Sequence, residues 1–441
     1  MSLSPALLDL ASELNALWAS PEQERRRRLW ADHFNGRTRE VPVTCAMFQG
    51  WQDLVWQQIL PEDEFIYKDG LARVIEVRLR HHLWRAANIP DDTPHDPTLA
   101  LGALPPLGPD ELWGVPVAYD STGVAGGAYK PLPPLGDPAD IRKLRPPEFR
   151  FDPEAMARQE EQVRDLIGDA LPIAFRCDAL HNGPFEWAVR LRGMDNLLLD
   201  CYDRPEWLHE LMGFLSRSMV DYHRARDAAG FVHSPTESAL HSPWDDYDLP
   251  SETTPFSPSP LVERGPGGEV PLPPSPERSE GEGGRGVRTP LSSAWGYLHA
   301  QSAASYGPKT YAEFVQPYNV PIAELFGKVY YHGCEDLTQK VETIRELPNL
   351  REFHVSPWSQ VAPIAAALPE HVVLEVHSHP TNVLFLWGEA QMREELRALV
   401  DGAGDHAFNL KLCDIQTINA DGGEALKAWS RAAKDLACSR R

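Results

Sequence analysis

The short apolar run "KVYYHGC" (328–334) ends in His332 and Cys334, and Glu335 and Asp336 follow directly. An imidazole and a thiolate two positions apart suit a borderline-soft divalent metal, above all zinc. A third donor of the right kind, Cys413, stands at the end of the last apolar run, "HAFNLKLCD" (406–414). Three protein donors leave a fourth coordination position for a substrate, as in catalytic rather than structural zinc sites. The plainer alternative makes Cys413 a buried core thiol and His332 a turn residue bonded to backbone. If the three residues do share one zinc ion, their donor atoms must converge to within about 4–5 Å of one another, as the short metal bonds require. Glu335 and Asp336 are candidate acid–base groups. Their alternative is to cap the helix that begins near Leu337, where carboxylates are favoured.

A second constellation lies in "HVVLEVHSHP" (371–380). Along an extended strand Glu375, His377 and His379 share one face. His377 and His379 are then candidate substrate contacts, rival metal ligands or structural histidines. Asp178, at the end of "LPIAFRCDA" (171–179), is a further candidate acid, and Trp358 in "SPW" reads as packing.

These residues need elements that bring distant strand ends together. The runs 328–334, 350–358, 371–380 and 406–414 are strand-like, and helical stretches separate them. Of these, "DLTQKVETIREL" puts Leu337, Val341, Ile344 and Leu347 on one face. Four such units in succession predict a parallel sheet, half of an eight-stranded (β/α)₈ barrel with its active site at the carboxyl ends of the strands. An open doubly wound sheet is the competitor, weakened because no glycine-rich phosphate loop follows any strand. Earlier in the chain, residues 41–47 and 171–179 read as strands, 183–193 and 203–226 as helices. The expected layout is a helical segment over 1–40 and one barrel over 41–441. Residues 251–290 interrupt it with nine prolines and seven glycines in forty positions. That composition cannot offset an ordering cost of roughly 1–2 kcal/mol per residue, so a disordered insertion is expected.

The chain has 441 residues and a formal charge of −22. The acidic balance argues against nucleic acid as a partner. The one basic run, Arg25–Arg28, reads as a solvated helix face. No stretch has the roughly 20 apolar residues of a membrane span. The six cysteines follow no disulfide spacing, which suits free thiols in a reducing cytoplasm.

Four stretches carry a resemblance. "NGPFEWAVRLRGMDNLLLDCYDRPEWLHELM" (182–212), "WGYLHAQSAASYGPKTYAEFVQPYN" (295–319), and "GCEDL" with "VSPW" resemble the uroporphyrinogen decarboxylase superfamily. The resemblance spans roughly residues 40–437 apart from the insertion, and it implies an eight-stranded α/β barrel. One branch decarboxylates tetrapyrrole side chains without a cofactor and carries an Arg-Gln-Ala-Gly-Arg motif near its N-terminus. Here the matching region reads "VPVTCAMFQGWQDL" and lacks it. The other branch transfers methyl groups between a corrinoid protein and a thiol with zinc, through an H-x-C pair and a later cysteine in the last strand. His332, Cys334 and Cys413 match that pattern, with 78 residues between the two cysteines. The resemblance therefore implies a zinc-dependent corrinoid methyltransferase with a corrinoid protein and a small methyl acceptor as partners. A metal-free decarboxylase-like enzyme on a tetrapyrrole, and a non-catalytic corrinoid-binding barrel, stand as alternatives.

Overall fold

The computed structural model describes residues 3–47, 54–102, 112–121, 129–176, 180, 183–231, 290–419 and 423–438. Ten strands run through them: β1 (Val43–Met47), β2 (Leu99–Gly102), β3 (Ala118–Ser121), β4 (Tyr129–Leu132), β5 (Ile173–Arg176), β6 (Trp295–His299), β7 (Lys328–His332), β8 (Leu350–Val355), β9 (Val373–His377) and β10 (Phe408–Ile415). Six form one sheet in the order β1-β10-β9-β8-β7-β6, and every pairing in it is parallel. β2 and β5 form a separate parallel pair, and β3 and β4 an antiparallel hairpin. The first strand thus lies against the last. Among the described residues no ladder joins β1 to β2 or β5 to β6. The protein is α/β with a parallel sheet and many helices, and the described pairings stop short of the complete eight-stranded barrel expected from the sequence. Two backbone bonds tie the sets together at their ends, from Asp92 N–H to the Val43 carbonyl (2.7 Å) and from Gly183 N–H to the His299 carbonyl (2.9 Å).

The period of two in each strand explains the layering. On one face Val329, Tyr331, Phe353, Val355, Leu374, Val376, Leu410 and Leu412 are buried in a single apolar core. Residues of the flanking helices share that core, among them Leu396 and Val400 of Glu389–Ala403 and Leu426 and Trp429 of Glu424–Cys438. Leu208, Leu211, Met212, Leu215 and Met219 of the long helix Pro205–Ala228 belong to the same core, as their helical spacing requires. The stretch after β7 is less helical than its pattern predicts. Only Val341–Ile344 forms an α-helix, although Leu337, Val341, Ile344 and Leu347 are all buried.

The basic run departs from its expected role. It lies on the helix Pro21–Phe34, where Arg26 and Arg27 are buried. Arg25 pairs with Asp92 (2.9 Å), Arg26 donates to the Thr93 carbonyl (3.0 Å) and Arg27 stacks over Trp18. These arginines fasten the N-terminal helices to the segment beside β1, because buried Asp92 needs cationic partners. Residues 232–289, which contain nearly all of the predicted insertion, lie outside the described residues.

Candidate functional site

The other face of the sheet is polar, and this is where the chemistry gathers. β6 presents Tyr297 and His299, β7 Tyr330 and His332, β8 Glu352 and His354, β9 Glu375 and His377, and β10 Asn409, Lys411 and Cys413. The register places His299 beside His332, Tyr330 beside Glu352, His354 beside Glu375 and Lys411 beside His377. The result is a row of imidazoles along the carboxyl ends of the strands. Ring centroids are 6.1 Å apart for His299 and His332, 4.1 Å for His332 and His354, and 4.1 Å for His354 and His377. Burying so many polar groups carries a desolvation cost that packing does not require, since apolar side chains would fill the same space. A polar inner face of this kind points to a function.

Glu375 anchors the centre. Its carboxylate accepts hydrogen bonds from Lys411 and Tyr330, and His377 Nε2 lies 2.8 Å from Oε1. Burial opposes its ionisation, but Lys411 and His377 outweigh burial and hold the carboxyl well below the usual range. One strand away, Glu352 accepts from Asn409 Nδ2 at 3.0 Å. Burial and the neighbouring Glu375 charge push that carboxyl well above the usual range. Two nearby carboxyls driven in opposite directions supply one fixed anion and one proton carrier. Burial, then His377 and His332, hold His354 neutral, well below its ordinary pKa.

Of the predicted metal ligands, His332 and Cys334 come together at the end of β7, with Cys334 Sγ 3.9 Å from His332 Nε2. Burial, then Asp414 and Glu335, push the Cys334 thiol up to about 12. Cys413 is buried on the same polar face, and its thiol is pushed well above the ordinary value by burial first, then by Asp414, Glu375 and Cys334. The next residue, Asp414, takes a left-handed φ of 59°, a strained conformation for a residue other than glycine, and this ends the strand's alternation. The expected convergence of all three donors is not what the structure shows. Among the described residues, the one set of three donor atoms within 4.8 Å of one another is His354, Glu375 and His377. β8 and β9 separate β7 from β10, so Cys413 faces the His332–Cys334 pair from across the polar face.

The remaining candidates separate into three situations. Glu335 is buried, and its carboxyl is pushed up to about 7, by burial against the opposing pull of Lys340, whose Nζ lies 3.7 Å away. Asp336 is exposed and accepts the Thr338 N–H at 2.9 Å, a turn-capping role outside the polar face. β9 ends at His377, so His379 does not continue its face. The His379 ring packs edge-on against Trp358 at 4.8 Å, and the His379 backbone N–H donates to Glu395 Oε1. Trp358 is largely exposed beside it rather than packed in the core. Asp178 lies outside the described residues.

Sequence reasoning missed His299, His354, Glu352, Lys411 and the two tyrosines. The signal was present: four successive strands carry "YLH", "YYH", "EFH" and "EVH" at or one residue before their ends, each a tyrosine or glutamate, an apolar or aromatic residue, then histidine.

No family model matches the sequence, and no curated protein matches it. Among solved structures, the chain is similar to a methyltransferase from Methanosarcina mazei at 12% identity, with 92% of this chain and 97% of that one covered and a TM-score of 0.48. A likeness at that level leaves activity to be read from the residues. No helix among the described residues is long and apolar enough to cross a membrane.

Proposed function

We propose that this chain is a methyltransferase of the uroporphyrinogen decarboxylase superfamily that moves a methyl group between a corrinoid on a partner protein and a small thiol. In this reading His332 and Cys334 hold zinc, and Cys413 completes the set by closing on that pair when the metal binds. The observation that carries it is the 3.9 Å separation of Cys334 Sγ and His332 Nε2. Nitrogen and sulfur ligands on one tetrahedral zinc stand about 3.6 Å apart, so this pair already has close to the spacing of two zinc ligands. The donor chemistry fits as well, with one imidazole and two thiols on a buried polar face. When bound, zinc supplies Lewis acidity that lowers the pKa of a coordinated thiol and makes its thiolate available at neutral pH.

The chain's own groups prepare the site in other ways. Cys334 and Cys413 have strongly raised pKa values, so without a metal they are neutral and poor nucleophiles. They act as ligands, not as covalent catalysts. Tyr297 and Tyr330 keep their phenolic protons, because burial and nearby carboxylates push them well up. They wall the site with neutral rings and keep water from the reacting thiol. Lys411 and Glu375 cancel one another's charge and leave the field at the strand ends to the substrate.

The test is methyl transfer from methylcobalamin to a small thiol, followed by loss of the methylcobalamin spectrum, with metal content measured on the same sample. Wild-type protein carries zinc and transfers methyl, while Cys334→Ser loses the thiolate-bound zinc equivalent and the transfer. Transfer undiminished in Cys334→Ser overturns the reading. A metal-free decarboxylase-like enzyme is the second reading, favoured by the imidazole row, which offers hydrogen-bond donors to a carboxylated substrate. Metal-free protein that releases CO₂ from a tetrapyrrole carboxylate supports it.

A further inference from the structure

We propose that His354, Glu375 and His377 form a separate divalent-metal site with nitrogen and oxygen donors, beside the cysteine-containing set. Its ligands differ from the metal ligands of the proposed function, and it stands or falls separately.

Geometry comes first. One donor atom from each of the three residues lies within 4.8 Å of the others, and all three side chains are buried. Two imidazoles and one carboxylate are an established ligand set for zinc and for iron(II), with open positions left for water or substrate.

His354 supplies the second observation. It is 1% exposed, and neither of its ring nitrogens has a hydrogen-bond partner among the described residues. A buried polar group left unbonded costs about 1–3 kcal/mol, and each such group in a native fold calls for an explanation. Packing does not supply one, because a phenylalanine would fill the same space without that cost. His354 is also flanked on both sides by imidazoles at 4.1 Å, an arrangement in which protonation is disfavoured and coordination is not. A cation that accepts a nitrogen lone pair accounts for the orphaned ring.

The surroundings supply the supporting shell such sites need. Lys411 and Tyr330 both donate to Glu375 and fix its orientation. Strong outer bonds of this kind hold a ligating carboxylate in place, and their loss typically lowers metal affinity about 10–100-fold. The ligands stand on the adjacent paired strands β8 and β9, which gives a more rigid frame than loops. Approach from solvent is by the carboxyl ends of the strands, where Cys334 is only partly buried.

The donors differ between the two sets, and that makes the test specific. Full-length protein is stripped with a chelator and titrated with Zn²⁺ and, separately, with Co²⁺. Cobalt bound by thiolate shows an intense sulfur-to-metal charge-transfer band, whereas cobalt held by nitrogen and oxygen shows only weak d–d bands. Wild-type protein is expected to take two equivalents. The Cys334→Ser/Cys413→Ser variant keeps one equivalent and loses the charge-transfer band. His354→Gln and His377→Gln each keep the charge-transfer band and weaken the other equivalent by about 100-fold or more, the upper end of what even outer-shell changes cause. Far-ultraviolet circular dichroism confirms that each variant is folded, and having two histidine variants covers the loss of one to misfolding. If the double-cysteine variant binds no metal, or if both histidine variants titrate like wild type, the site does not exist. Loss of the charge-transfer band from wild-type protein alone counts against the methyltransferase reading and leaves this one intact.

Discussion

Replacing Lys411 with methionine tests the electrostatic organisation of the polar face most directly. Lys411 is 1% exposed and Glu375 3%, so the pair is fully withdrawn from water. Removing one partner of such a pair leaves an uncompensated buried charge, at a cost of about 3–5 kcal/mol. Protonation sets the ceiling. An ordinary glutamate titrates near 4.3, so neutralising Glu375 at pH 7 costs about 3.7 kcal/mol, which is 2.7 pH units at 1.36 kcal/mol each. The hydrogen bonds from Tyr330 and His377 remain, so a loss of about 3 kcal/mol at pH 7 is expected. The pH dependence carries the sign. In the wild type, the folded pKa of Glu375 lies below its unfolded value. Its contribution is therefore present above the unfolded pKa and is lost as pH falls through the folded one. In Lys411→Met the folded pKa rises instead, so the penalty is greatest at pH 7 and shrinks by about 1.4 kcal/mol per unit as pH is lowered toward 5. The assay is urea unfolding of chelator-treated protein at pH 7, 6 and 5, read at the first transition. A Lys411→Met/Glu375→Gln double variant removes both charges and recovers most of the loss. A cost below about 1 kcal/mol at pH 7, or one that does not change with pH, refutes the claim that Glu375 is an ionised buried anion held by Lys411.

Further outcomes follow from other parts of the fold. His33 is buried in contact with Trp30 and Phe34, and burial, with Arg351, holds its pKa down at about 3. The unfolded chain therefore binds a proton that the folded chain refuses, and this residue alone lowers stability by up to about 1.4 kcal/mol per unit as pH drops below about 6.5. His33→Phe flattens that acid-side slope in paired unfolding curves at pH 7 and 5, whatever it does to stability at pH 7. Gly183 is expected to resist substitution, because a Cβ there overlaps the His299 carbonyl oxygen and stands 2.9 Å from Asn319 Oδ1. Gly183→Ala should cost about 1–3 kcal/mol by thermal or chemical unfolding, since the clash is with backbone at the end of β6. Deleting residues 251–289 should leave the melting temperature unchanged or slightly higher, because loop closure changes by only about 0.6 kcal/mol per doubling of length. A marked drop shows that the segment packs.

Much of the sheet was legible in the sequence because its strands and helices carry strong local patterns. Alternating apolar residues in "REFHV" and "VLEVH" give β8 and β9, and the stripe from Leu208 to Met219 gives the long helix. Local patterns of this kind depend on side-chain periodicity, which a chain carries wherever it sits. The H-x-C pair was also visible, since its two residues are two positions apart in the chain, although β7 ends at His332 and Cys334 lies just beyond it. His379 was misplaced because the strand ends two residues earlier, a boundary set by the turn that follows and not by alternation. The basic run at 25–28 looked like a solvated face because its anionic partner, Asp92, is remote in sequence. Which donors meet was decided by the tertiary structure alone. His354 and His377 become neighbours because parallel strands β8 and β9 pair in one register, and a shift of one residue would turn either histidine into the helix layer. Cys413 and the His332–Cys334 pair come from strands with two others between them, and strand order is a long-range property that no stretch of sequence encodes by itself. The shifted pKa values of Glu352, Glu375 and His354 likewise arise from burial and from one another, so they come into being only when the strands assemble.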